Sequence, residues 1–159
     1  MTTDTTGYVR TIPNNYQLYS PLKDQEIRLL RVLRSSNDSD IPTCHIYRVN
    51  VTHEWRYSAL SYCWGDLRDT KPINLGFCDE DLLEHDNEAH FNKKRPLYTF
   101  NATRTLHDAL KAFQIGGFEG FLWADALCIN QGDVEERSYQ VTLMKDIYEG
   151  ALVVEVWLG

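Results

Sequence analysis

Residues 57–158 alternate between short apolar runs and longer amphipathic stretches, an order that commits a chain to a sheet covered by helices. Tyr57-Ser-Ala-Leu-Ser-Tyr-Cys-Trp64 carries no charge, which suits a strand covered on both faces. Between 103 and 115, Leu106, Leu110 and Phe113 fall on one helical face with Ala109 beside them. Gly116-Gly117 stops that helix. Residues 121–129 form a second buried run. Asp133 then stands where a helix needs its cap, with Glu136 at the capping-box position and Glu135 beside it at the positive end. The apolar face of this second helix is expected at Val134, Val141, Met144, Ile147 and Tyr148, and Gly150 ends it. Residues 151–158 read as a third strand. Strand, helix, strand, helix, strand implies right-handed crossovers and a parallel sheet. Ligands of such sheets bind at the carboxyl ends of the strands, here Trp64-Gly65-Asp66 and Asp125 through Gln131.

The amino-terminal part is less regular. Residues 45–51 alternate in the manner of a strand, with Tyr47, Val49 and Val51 on one face. Residues 26–34 fit two templates. Arg28, Arg31 and Arg34 suit one helical face, and the β-rich run suits a strand. Residues 34–42 are a loop by composition. Residues 79–95 carry an acidic run followed by Lys93, Lys94 and Arg95, which reads as an exposed insertion. Residues 1–15 are expected to be disordered and 16–159 to form one domain. The fold expected is α/β, a mainly parallel sheet flanked by helices, with an N-terminal β-rich extension over residues 26–51.

Composition removes several functions. The net charge of −7, with no basic stripe, argues against nucleic acid as a partner. No run of apolar residues is long enough for a membrane span. Met1-Thr-Thr-Asp-Thr-Thr lacks the pattern of a secretory leader, so the expected compartment is the cytoplasm and the four cysteines are expected reduced. His85 and His90 lack the spacing of a zinc protease and no C-x-x-C occurs, so no metal is expected. No phosphate loop of the G-x-x-x-x-G-K type occurs.

Three stretches resemble the signatures of the fungal heterokaryon-incompatibility (HET) domain. The first is Tyr57-Ser-Ala-Leu-Ser-Tyr-Cys-Trp-Gly-Asp66. The second is Leu122-Trp-Ala-Asp-Ala-Leu-Cys-Ile-Asn-Gln131. The third runs from Glu136-Arg137 through Gln140-Val141, Met144, Ile147-Tyr148 and Ala151 to Val156-Trp-Leu-Gly159. Tyr19-Ser-Pro-Leu and Ile27-Arg-Leu-Leu resemble the family's lead-in, which favours a strand over 26–34. The resemblance implies a cytoplasmic fungal protein of non-self recognition whose domain triggers programmed cell death. It also implies a distant kinship to TIR domains, which have a flavodoxin-like fold. Several TIR domains cleave NAD or self-associate, so NAD is implied as a substrate rather than a cofactor, the alternatives being a non-enzymatic signalling module acting by self-association or an inactive fragment. Partners are expected to be further copies or other incompatibility proteins. Glu155 departs from the family's apolar strand. TIR-type hydrolases carry their essential glutamate on the helix after this strand, so the domain is expected to continue past Gly159.

Cleaving nicotinamide from ribose passes through an oxocarbenium-like centre that a carboxylate stabilises. Asp66 and Asp125 qualify by position. Asp66 equally suits a turn cap after Gly65, and Asp125 equally suits a buried acceptor of loop N–H bonds. Glu135 and Glu136 fit capping better than catalysis. Asn130 and Gln131 are candidates for ribose hydroxyls or phosphate, or for tying their own loop. Arg137 suits a phosphate, or an ion pair with Asp125 or Asp133. Trp64 is a candidate stacking platform or a core aromatic. Cys63 and Cys128 are expected to be small buried hydrophobes.

Overall fold

A computed structural model of the chain describes residues 9–11, 18–38, 40–51, 55–81, 91 and 93–159. The strands are β1 (Val9–Thr11), β2 (Glu26–Val32), β3 (Thr43–Asn50), β4 (Tyr57–Tyr62), β5 (Thr70–Asp81), β6 (Leu97–Thr103), β7 (Phe121–Trp123) and β8 (Val153–Trp157). The helices are α1 (Arg104–Gly116), α2 (Asp125–Cys128) and α3 (Val134–Gly150). All eight strands join one sheet in the order β1-β6-β5-β3-β2-β7-β4-β8.

The protein is α/β as expected, but its sheet is mixed rather than mainly parallel. β7, β4 and β8 form a parallel trio with β4 in the middle, as the strand–helix alternation requires. β2 pairs antiparallel with β3 along its whole length, and β5 pairs antiparallel with β6. β2 also runs antiparallel to β7, joined through Leu30 and Leu122. The remaining pairs, β1 with β6 and β3 with β5, are parallel. The expected β-rich extension is therefore no appendage. Residues 26–50 are the centre of the sheet, because Ile27, Leu29, Leu30, Ile46, Tyr47 and Val49 are all buried.

β5 and β6 are not expected from the sequence. β5 contains Pro72, Asn74 and Gly76, which hide its alternation, yet Ile73 and Leu75 are fully buried. β6 likewise has no expectation in the sequence, although Phe100 and Ala102 are buried. Of the segment 79–95, residues 79–81 end β5, and Phe91 packs edge-on to Tyr47 and Phe121. Residues 82–90, with His85 and His90, lie outside the described residues. So do 1–8 and 12–17, while Val9–Thr11 is a strand within the stretch expected to be disordered.

α1 obeys its sequence signals. Thr103 caps it by accepting from the Leu106 N–H, and Gly117 ends it in a left-handed conformation at φ 68°. Leu106, Ala109 and Leu110 are buried against the sheet.

α3 begins as expected, with the Asp133 side chain accepting from the Glu136 N–H at 3.0 Å. Its buried face differs from the one expected. Val134 and Val141 are exposed, whereas Gln140 is fully buried and Glu136 nearly so. Polar groups dock this helix. Gln140 donates to the Glu26 carbonyl at 3.2 Å, Tyr57 donates to the Ile147 carbonyl at 2.5 Å, and Tyr148 donates to the Leu60 carbonyl at 3.0 Å. A periodicity that counts only apolar residues misses such a face.

Candidate functional site

The carboxyl ends of β4 and β7 lie side by side, so Trp64 and Asp125 meet. The Trp64 indole N–H points at the Asp125 carboxylate, 3.1 Å from each oxygen. The same carboxylate accepts from the Ala126 N–H at 2.8 Å. Tyr62 and Tyr148 flank it. Burial, and then the negative charge of Asp125, push both phenols above their usual range. Both hydroxyls therefore stay protonated beside the carboxylate. The Tyr148 ring stands edge-on to Trp123, centroids 5.4 Å apart. Asp125 thus sits beside Trp64, Tyr62 and Tyr148, with Trp123 packed against Tyr148.

A second knot ties the following loop down. Arg28 is 2% exposed and meets Glu136 through two parallel hydrogen bonds of 2.6 and 2.9 Å. Arg28 also donates to the carbonyls of Cys128 and Ser20, at 3.1 and 2.8 Å. Its guanidinium lies 4.7 Å from the centroid of the Tyr19 ring. Tyr19 in turn donates to the Leu127 carbonyl at 2.7 Å. Glu136 accepts from the Asn130 N–H at 2.5 Å. Its carboxylate therefore serves Arg28 and Asn130 rather than closing a capping box, since the Asp133 N–H goes to the Asn130 carbonyl.

The sequence-derived candidates separate on this geometry. Trp64, Asp125 and Gln131 come together, with Gln131 donating to the Asp125 carbonyl at 3.0 Å. Asp66 does not join them. Its exposed carboxylate accepts from the N–H and guanidinium of Arg68, and these bonds hold it below the usual carboxylate range. Gly65 makes the turn between Trp64 and Asp66 at φ 72°, where a Cβ would lie 3.1 Å from the Thr105 hydroxyl oxygen. The Asn130 side chain accepts from the Gly132 N–H at 3.1 Å and so shapes its own loop. Arg137 donates to the Gln131 carbonyl at 3.4 Å and pairs with neither Asp125 nor Asp133.

Cysteine chemistry divides likewise. Cys128 is buried, and burial pushes its thiol up to about 12, so it is inert at neutral pH. Cys63 is exposed, contrary to expectation, because β4 has left the sheet by that point. Among the described residues no group of three or more His, Cys, Asp or Glu side chains is placed to hold a metal. No helix of the described residues is long and apolar enough to cross a membrane.

Arg28, Tyr62 and Tyr148 were not foreseen. One signal did exist for Arg28. A charge set between the apolar Ile27 and Leu29, in a strand that also buries Leu30 and Val32, demands a buried partner.

The class defined is a mixed α/β domain with an acidic centre at the carboxyl ends of a parallel trio. Residues 57–159 match the family described as heterokaryon incompatibility protein (HET), and the chain belongs to that family. It is also 36% identical over 138 residues to heterokaryon incompatibility protein 6, OR allele, of Neurospora crassa. That match covers 84% of this chain and 18% of the relative, so the chain spans less than a fifth of that protein's length. No solved structure matches the chain.

Proposed function

We propose that this chain is the effector module of a fungal incompatibility response, and that its output is programmed cell death in the cytoplasm. The observation carrying this reading is the convergence of the family signatures on Asp125. The first signature supplies Trp64, the second supplies Asp125 itself, and the third supplies Tyr148. The chemistry is cleavage of NAD. The bond between nicotinamide and ribose breaks, nicotinamide leaves with the bonding electrons, and water adds to the ribose carbon with loss of one proton. The Asp125 carboxylate would stabilise the positive ribose centre. The order β7-β4-β8, with the first strand central, supports a flavodoxin-like or TIR-like reading of this half. The test is nicotinamide release from NAD by the full-length protein and by its Asp125→Asn variant. Release that Asp125→Asn abolishes supports the reading. No release at high protein concentration removes NAD cleavage.

A second reading rests on β8. Among the described residues this strand pairs only with β4, and Val153, Val154 and Val156 are exposed along it, with Leu158 exposed just beyond. An apolar edge strand is a template for pairing with a second copy. On this reading the domain signals by self-association, without catalysis.

A further inference from the structure

The described residues leave a cavity of about 650 Å³ beneath the carboxyl-terminal half of α3. Its size lies within the range of small-molecule sites. It shares no lining residue with the Trp64–Asp125 centre and serves none of the roles assigned above. Its walls are aliphatic, from Ile27 and Val49 on the sheet, Leu143 and Ile147 on α3, and Leu152 before β8. Tyr57 contributes its ring, while its hydroxyl is committed to the Ile147 carbonyl. A polar ligand body would lose its water there and find few hydrogen-bonding groups beyond the Trp55 indole N–H.

The rim is different. Arg56 and Asp146 both border the cavity, from different elements, and both are exposed. Among the described residues neither has an ion-pair partner. An apolar interior with one free charge of each sign at its rim complements a molecule with a matching distribution. We propose that the cavity binds a single-chain amphiphile whose head carries both charges, its anion meeting Arg56 and its cation meeting Asp146. The Trp55 ring, also in the lining, is a further surface for a quaternary ammonium group.

The test is calorimetric titration of the full chain with dodecylphosphocholine, kept below its micelle concentration. Dodecanoate and phosphatidylcholine vesicles are titrated in parallel. Saturable binding at one site is expected, tighter than for dodecanoate. Val51→Trp places a large ring in the cavity from a half-exposed position and should weaken binding by at least about tenfold. Leu143→Trp repeats the test from the α3 side, with circular dichroism reporting the fold of both variants. Arg56→Glu should remove the preference over dodecanoate. The proposal is overturned by absence of saturable binding, by binding to vesicles alone, or by affinity unchanged in a folded cavity-filled variant.

Discussion

The Trp64 indole nitrogen lies 3.1 Å from each carboxylate oxygen of Asp125, which ties the end of β4 to the start of α2. This contact joins the first two family signatures. The Arg28–Glu136 pair joins the second to the third, because Arg28 also holds the Cys128 carbonyl and Glu136 the Asn130 N–H. The three signatures thus form one interlocked unit.

The Arg28–Glu136 pair yields the clearest stability prediction. Both side chains are almost fully buried, so removing either leaves an uncompensated charge. Arg28→Met and Glu136→Gln should each cost about 3–5 kcal/mol. The double variant should cost much less than the sum of the two. Urea unfolding of the four proteins measures the coupling. Additive losses would show that the two groups act independently.

Acid should weaken the fold through His45. Burial, then the charges of Arg95 and Arg31, lower its pKa from 6.5 to about 4. The unfolded chain then binds a proton that the folded chain does not. This contribution is fully present above 6.5 and is lost as pH falls toward about 4. The slope should approach about 1.4 kcal/mol per pH unit within that window. His45→Leu should flatten the urea midpoint across it. The depressed carboxyls of Asp66, Asp69 and Asp108 act only at still lower pH, below their ordinary 3.8.

Adjacent glycines should respond with opposite signs. Gly117 ends α1 at φ 68°, and a Cβ there would lie 3.2 Å from the Arg34 guanidinium carbon. Gly117→Ala should cost about 1–2 kcal/mol. Gly116 is helical and has open space around it. Gly116→Ala should gain up to about 1 kcal/mol. Thermal unfolding of the two variants checks both signs.

If β8 is a docking edge, sedimentation should show a dimer that dissociates on dilution. Val156→Lys, at an exposed position of that strand, should leave the monomer alone. A wild-type chain monomeric at all concentrations would remove the self-association reading.

The carboxyl-terminal half was legible because its signals are local. Thr103, Gly117 and Asp133 act on backbone groups within a few residues, so α1 and α3 fall where their caps place them. β2 against β3 was not legible as the centre of the sheet, since strand pairing depends on partners far along the chain. The inward face of α3 was missed because Glu136 and Gln140 occupy it. Asp66 misled for a simple reason. Position at a strand end is shared by Asp66 and Asp125, but only the structure shows that Arg68, two residues on, takes up Asp66. Tyr62 and Tyr148 gave no signal, being aromatic residues in apolar runs.

The central claim is that the Asp125 centre carries the activity. The most direct measurement is fungal cell viability on expression of the full-length protein, its Asp125→Asn variant and its Asp66→Asn variant. Asp125→Asn conserves shape, and its urea midpoint is measured alongside. The account predicts that wild type and Asp66→Asn kill, while a folded Asp125→Asn does not. Killing by Asp125→Asn at the wild-type level would contradict it.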